Sequence, residues 1–249
     1  MTKPLHTQLA DDLRKEISEG HLRPGDALPS EAELGRVHSI SRITVRKALQ
    51  TLEHEGLVAA AAGRGRVVRD QKVYDWHLVD YEKKHRSHPD LDGWASDVVD
   101  QGGTPNETVV AVEVVDPPAE VKAKLALGAE GAALLRRRVR SINGKPAQLS
   151  SSYFPYEMVK GTVFMLPGSQ SAQGGLLASI GRPQRRKHHE ITARNASPDE
   201  AEELQLLPGT PLIQHIVVGY DEDDVAVRCM VTLAASDVAR LVVDEENLS

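Results

Sequence analysis

The sequence predicts an α+β chain in two parts, an N-terminal winged helix-turn-helix joined to a C-terminal, mainly antiparallel sheet domain. Three observations carry this. Ser41 to Gly56 reads as one helix that begins with Arg42 and Arg46 on a single face. A short helix expected from Ser30 ends a few residues before it, and two short strands around a basic, glycine-rich tip follow it. In the second half of the chain, the order strand, helix, strand, strand occurs twice.

At 249 residues the chain is longer than one ordinary core requires. The expected division is a DNA-binding module over 1–70, a linker over 71–93 and a sheet domain over 94–245. Apolar residues at 40% and charged residues at 27% are those of a globular protein. No apolar run approaches bilayer length, and the opening Met-Thr-Lys-Pro-Leu-His has no signal-peptide core, so no membrane partner and a cytoplasmic location are expected. A single cysteine, Cys229, excludes an internal disulfide and a multi-thiolate metal site, and its apolar neighbourhood predicts a buried, inert thiol. The net charge of −6 argues against diffuse binding to nucleic acid. That charge is uneven, because 11 Lys+Arg against 10 Asp+Glu through Asp70 give +1 and leave −7 for the rest. A local basic surface is all that phosphate contacts need.

Leu5, Leu9, Leu13 and Ile17 recur every fourth residue and predict a first amphipathic helix that stops near Gly20. Pro24-Gly25 marks a turn. Ser30-Glu31-Ala32-Glu33 fits a capping box, so a second helix is expected from Ser30 to about Val37. In the third helix, Ser41 is the N-cap, Gly56 is the stop, and Val45, Leu49 and Leu52 form a buried stripe. No acidic residue lies between Arg36 and Lys47, which leaves a cationic helix start suited to a DNA major groove. Leu57 to Ala62, the tip Gly63-Arg64-Gly65-Arg66 and Val67-Val68 then read as a wing.

These motifs, in order, resemble the winged-helix domain of GntR-family bacterial transcription regulators. They are Leu22-Arg23-Pro24-Gly25-Asp26-Ala27-Leu28-Pro29-Ser30-Glu31, Ser41-Arg42-Ile43-Thr44-Val45-Arg46, Leu52 to Val58 and Gly63-Arg64-Gly65. The resemblance implies that Arg42 reads a guanine, that Thr44 and Arg46 touch backbone or base edges, and that the wing glycines Gly63 and Gly65 approach the minor groove. Ser30, Ser41, Lys47 and Arg64 complete the expected DNA-contacting set. Ala32 and Ala59 to Ala62 stand where the family often carries arginines, so the operator is expected to differ from the common family site or to be held more weakly per monomer.

Tyr74, Trp76, Tyr81 and Trp94 are four of the chain's nine aromatics, and the linker containing the first three is expected to pack between the domains rather than line a pocket. His85 and His88 have no accompanying ligand framework, so no metal and no cofactor is implied.

In the second half, Thr108 to Val115 reads as a strand, Pro117-Pro118 introduce a helix through Leu127, and Ala133 to Ser141 and Ala147 to Tyr153 form a hairpin about Asn143-Gly144. The second copy comprises Lys187 to Arg194, a helix capped at Ser197, Leu212 to Tyr220 and Val225 to Leu233. One antiparallel sheet with helices on one face is expected. A Gly/Ser-rich excursion, Pro155 to Pro183, lies between the copies where it could cover a site. From Trp94 to Val243 the chain resembles the effector-binding UTRA domain of the HutC branch of the same family, a domain of chorismate-lyase-like fold. That resemblance implies a small-molecule effector, a homodimer on a palindromic double-stranded operator, and ligand control of how the two winged helices are spaced.

By that resemblance Arg138 and Arg140 match a family arginine pair, and period-two geometry puts both on one face, suited to a carboxylate or phosphate. Ser150 and Arg228 stand where acidic contacts are expected in sugar-phosphate-binding members, which disfavours such a ligand. Ser171 and Gln173 are further candidate polar contacts in the excursion. No catalytic residue is identified, since no phosphate loop, no Gly-x-Ser-x-Gly elbow and no metal-ligand spacing occurs. His188 and His189 would point to opposite faces of a strand. Two alternatives stay open at this point: a DNA-binding dimer without ligand control, and a fusion to a lyase-like enzyme.

Overall fold

The computed structural model describes residues 3–61, 65–69, 72–78, 88, 91–170, 175–206 and 209–243. The chain divides into two compact units, Met1–Lys72 and Val73–Ser249. In the first, α1 (Leu5–Ser18), α2 (Glu31–Val37) and α3 (Arg42–His54) precede the hairpin β1 (Val58–Ala61) and β2 (Gly65–Val68). Ser30 caps α2 in a complete capping box with Glu33, and Ser41 caps α3 by accepting from the Thr44 amide. The turn between these helices places Ser39 at φ 55, and Gly35 permits a close approach, since a Cβ there would lie 3.1 Å from the Ile40 carbonyl oxygen. The core gathers Leu9 and Leu13 of α1, Leu34 of α2, Val45, Leu49 and Leu52 of α3, and Val58 and Val68 of the wing. Leu5, expected in the buried stripe, is 57% exposed because it stands at the first turn of α1.

The second strand of the wing begins earlier than expected. Gly65 and Arg66 belong to β2, and Val58 pairs with Val68 at the base of the antiparallel hairpin. A third segment joins it, as the Leu28 amide donates to the Arg66 carbonyl (2.8 Å) and the Val68 amide to that of Asp26 (2.9 Å).

The second unit is a six-stranded antiparallel sheet of order β4-β5-β6-β9-β8-β7. Its strands are β4 (Pro105–Val115), β5 (Ala133–Ile142), β6 (Lys145–Pro155), β7 (Arg186–Asn195), β8 (Pro211–Tyr220) and β9 (Ala226–Ala235). The duplication is visible in that order, for each copy adds its three strands as a meander and the last strands, β6 and β9, meet at the centre. Asn143 and Gly144 turn the β5–β6 hairpin with positive φ at both positions, as a two-residue turn requires. Helices α5 (Ala119–Lys124) and α8 (Pro198–Glu203) cover one face, where Val121 and Leu125 meet Ile216, Val218 and Cys229, and Leu204 meets Leu149, Leu212 and Leu233. Burial pushes the Cys229 thiol up to about 11, so it is inert.

The linker expectation is corrected for Tyr74–His77. These residues form β3, which pairs in parallel with β10 (Ala239–Val242), while Gly93–Asp100 is a helix, α4. Tyr74, Trp76 and Trp94 bury against Val98, Ile142 and Ala147 within the second unit, so their packing is internal to it. Tyr81 and His85 lie outside the described residues. The excursion also holds more structure than its Gly/Ser content implied: α6 (Tyr156–Val159), a 3-10 turn (Val163–Met165) and α7 (Leu176–Ser179) pack Val159, Phe164 and Leu177 on Leu134 and Phe154.

Candidate DNA-reading helix and effector face

Arg42 opens α3, is exposed, and has no hydrogen-bond or ion-pair partner among the described residues. Lys47 is exposed on the same helix. Arg46 differs. Its Nη2 lies 3.1 Å from Glu31 Oε2, and the same carboxylate accepts from Arg66 Nη1 at 3.1 Å. Arg66 in turn donates from Nε to Glu53 at 2.7 Å, so it is a partly covered strut between wing and helices rather than a free cation at the wing tip. The Arg46 guanidinium, with burial opposing and Arg66 adding, holds the Glu31 carboxyl below its ordinary range.

The hydroxyls of Ser30 and Ser41 serve as caps. Ser30 donates to Glu33 Oε2 (2.8 Å) and accepts from the Glu33 amide (3.2 Å), while Ser41 lies 2.9 Å from the half-buried Thr44 hydroxyl. Gly65 has φ 73 and open space where a Cβ would stand. Gly63 and Arg64 lie outside the described residues. Sequence reasoning passed over Ile43, which is 73% exposed between Arg42 and Thr44. A β-branched apolar residue so placed at a helix start was the available signal.

The second candidate site is the sheet face away from α5 and α8. Cross-strand register aligns Arg136 with Ser152, Arg138 with Ser150 and Arg140 with Gln148, and then Ser152 with Met230 and Ser150 with Thr232. Alternation therefore directs Arg136, Arg138 and Arg140 of β5, Ser150 and Ser152 of β6 and Arg228 of β9 to this face, and Arg137 and Ser151 to the other. β5 is an interior strand, so these arginines are not a solvated edge.

Arg136, missed as a site residue, is fully buried and ties the excursion down. Its Nη1 donates to the carbonyls of Phe164 (2.6 Å) and Leu166 (2.8 Å), and its Nη2 to that of Gly168. Arg140 donates from Nε to Glu107 (2.8 Å) and from Nη2 to Asp92, and stacks 4.9 Å from the Trp94 ring. Arg138 Nε stands 3.4 Å from Glu107, whose other contacts include the Ser169 hydroxyl at 3.1 Å. Burial lowers the Arg138 pKa, with Glu107 opposing and Arg140 reinforcing. Arg228 donates to the Ser152 hydroxyl at 3.0 Å and lies 2.7 Å from Met230 Sδ. Ser150 is buried opposite Arg138. Arg138, Ser150 and Arg228 thus converge on one face, and Arg140 stands beside them. Ser171 and Gln173 lie outside the described residues.

Farther along this face, His189 Nδ1 and His215 Nε2 are 2.9 Å apart, while His188 meets Glu190 at 3.2 Å on the opposite face. Burial, and then His189, holds His215 down to about 4.

A capped helix α3 that opens on an arginine without a partner among the described residues, beside a wing, and a sheet domain that collects guanidinium groups on the face away from α5 and α8 define a DNA-binding regulator with a ligand-sensing domain. The chain belongs to the GntR family of bacterial regulatory proteins, whose profile matches residues 5–68, and the UTRA domain profile matches residues 100–240. It is 28% identical over 214 residues to the HTH-type transcriptional repressor NagR of Bacillus subtilis, spanning 84% of this chain and 82% of that protein. It is 32% identical over 218 residues to the Streptomyces coelicolor HTH-type transcriptional regulator SCO4628, spanning 85% and 81%. The crystal structure of PhnF from Mycobacterium smegmatis shares the fold, with a TM-score of 0.60 and 22% identity over 96% of this chain and 99% of that one. The protein is therefore a DNA-binding transcription regulator of HutC-like architecture, not an enzyme. GntR regulators bind DNA operators, and UTRA domains bind small-molecule effectors. Among the described residues no helix is long and apolar enough to cross a membrane.

Proposed function

We propose that the protein is a cytoplasmic repressor that binds a palindromic operator as a homodimer and releases it when an acidic small molecule occupies the arginine-bearing face of the sheet domain. One module offers limited specific contact, so two α3 helices would enter neighbouring major grooves about 34 Å apart. Arg42 reads a guanine, since its fork is uncommitted, and Ile43 meets a thymine methyl. Thr44, Lys47, Ser30 and Ser41 position the helix on phosphates, and Gly65, with Gly63 and Arg64, brings the wing to the minor groove. Arg46 joins them once phosphate displaces Glu31.

The observation that carries effector control is the convergence of Arg138, Arg140, Ser150 and Arg228 on one covered face. Such a cluster opposes packing and favours an anion. An effector that prefers one spacing of the two reading helices weakens operator binding by linkage.

Native mass spectrometry for a co-purified acidic molecule, followed by gel shift with promoter DNA, tests this reading. The expected results are a dimer mass, an operator complex, and loss of that complex when the molecule is added. A monomer at operator-saturating concentration, or a complex indifferent to every acidic metabolite that stabilises the protein, would refute it.

A further inference from the structure

Resting on the reading of the arginine-bearing sheet face as the effector site, we propose that Arg228 is its anion anchor. Among the described residues it is the one guanidinium of this face held neither by a carboxylate nor by a set of backbone carbonyls, and it binds a carboxylate or phosphate oxyanion of the effector with Arg138 as the second cation. The assignment follows from where the four arginines of this face spend their donors. Arg136 is committed to three backbone carbonyls of the excursion. Arg140 is committed to Glu107 and Asp92, and Asp92 is itself fixed as the N-cap of α4 by the Ala95 amide at 2.9 Å. Arg138 shares Glu107 at the longer distance of 3.4 Å. Among the described residues Arg228 meets only the neutral Ser152 hydroxyl and a thioether, with its Cζ 6.0 Å from the centre of the Phe154 ring.

The Nε atoms of Arg138 and Arg228 are both shut off from solvent without a hydrogen-bond partner. An N–H so placed carries the full cost of lost hydration, and a charged one carries more. Among the described residues, two carboxylates, Glu107 and Asp92, face four guanidinium groups and leave a local excess of positive charge. Burial, followed by Arg138 and Arg140, lowers the Arg228 pKa to about 10, which still leaves it charged at neutral pH. An oxyanion between Arg228 and Arg138 removes all three penalties together: the excess charge, the repulsion and the idle donors. The buried hydroxyls of Ser150 and Ser152 are placed to donate to the same oxyanion. The effector is accordingly a small acidic molecule that presents its anionic group to β9, whereas the resemblance to the family pointed to the Arg138 and Arg140 pair on β5.

The test uses the full chain, with inorganic phosphate and malonate as probes against chloride at equal ionic strength. The wild-type protein is expected to gain thermal stability with one or both probes, phosphate alone indicating a phosphorylated effector and malonate alone a carboxylate. Arg228→Met should weaken the apparent affinity at least tenfold, while its melting temperature without probe stays level or rises because a like charge is gone. A merely structural arginine would lower that baseline instead. A wild-type protein that responds to neither probe, or an Arg228→Met protein with unchanged affinity, overturns the assignment. Should Arg228→Met not fold, the Nε–H NMR signal of Arg228, identified with Arg228→Lys, must move on phosphate addition or the proposal falls. Operator binding measured on the same samples separates the two readings. Arg228-dependent anion binding without operator release refutes regulation alone, and operator release by an effector that Arg228→Met still senses refutes the anchor alone.

Discussion

Arg42 and Arg46 are one helical turn apart and carry the same charge, yet among the described residues only Arg42 is uncommitted. The difference is Glu31, which sits 15 residues before Arg46 in the chain and meets it across the crossing of α2 and α3. Removing the Arg42 fork with Arg42→Ala should weaken operator binding by roughly 1–3 kcal/mol and relax preference at one base pair, as read by gel shift against single-base operator variants. Glu31→Gln should act in the other direction. It frees Arg46, while Arg66 stays paired with Glu53, so binding to any duplex tightens and the salt dependence steepens by about one counterion. The folded module loses little, because the Arg46 side chain is 61% exposed, such a pair is worth about 1 kcal/mol or less, and Glu53 still holds Arg66. An unchanged salt slope would show that Glu31 does not hold Arg46 in reserve. Arg42 was legible in the sequence because a cap and a run free of acids surround it. The Glu31 pairing was not, because it depends on the angle between two helices.

Elements show the same division. The Asn143-Gly144 hairpin, the capping boxes at Ser30 and Ser197 and the repeated strand order are local or periodic signals, and each was readable. The β3–β10 pair was not, because its two strands of four residues are more than 160 residues apart and neither alternates clearly. The His189–His215 contact, also missed, joins β7 to β8 and makes the sheet sensitive to acid. His215 is neutral and buried, with its pKa held down to about 4 from an ordinary value near 6.5. Its contribution to stability is therefore complete above pH 6.5 and is lost as pH falls toward 4, because the unfolded chain takes up the proton first. Urea unfolding at pH 5 should show a deficit on the order of 2 kcal/mol relative to pH 7, and His215→Leu should flatten that dependence. Glu200 is held to about 2, chiefly by Arg194, so its stabilising effect disappears only below the ordinary carboxylate range and does not blur this window. A wild-type protein equally stable at pH 7 and pH 5 would disprove the account.

At the scale of the whole molecule, each hydrophobic cluster lies entirely on one side of the Lys72–Val73 boundary. Residues 73–249 should consequently fold alone and unfold in a cooperative transition. A fragment starting at residue 94, where the sequence placed the domain, should be destabilised by several kcal/mol. It loses β3 and the burial of Tyr74 and Trp76, at about 1.5–3 kcal/mol for a large apolar side chain. Calorimetry of the two fragments decides, and equal stability would mean that β3 is dispensable. The boundary was misplaced because Asp70 to Asp92 is mixed in charge and lacks periodicity, whereas what assigns β3 to the second unit is a partner strand at the far end of the chain.

By itself the sequence determined the two-part architecture, the order of elements within the winged module and within the six-stranded sheet, and the residue that opens α3, because caps, turns and hydrophobic period act over a few residues. Tertiary structure alone decided which arginines are already spoken for. That depends on carboxylates, carbonyls and serines brought alongside from distant strands, and the charge left over on Arg228 exists only once those partners have been counted.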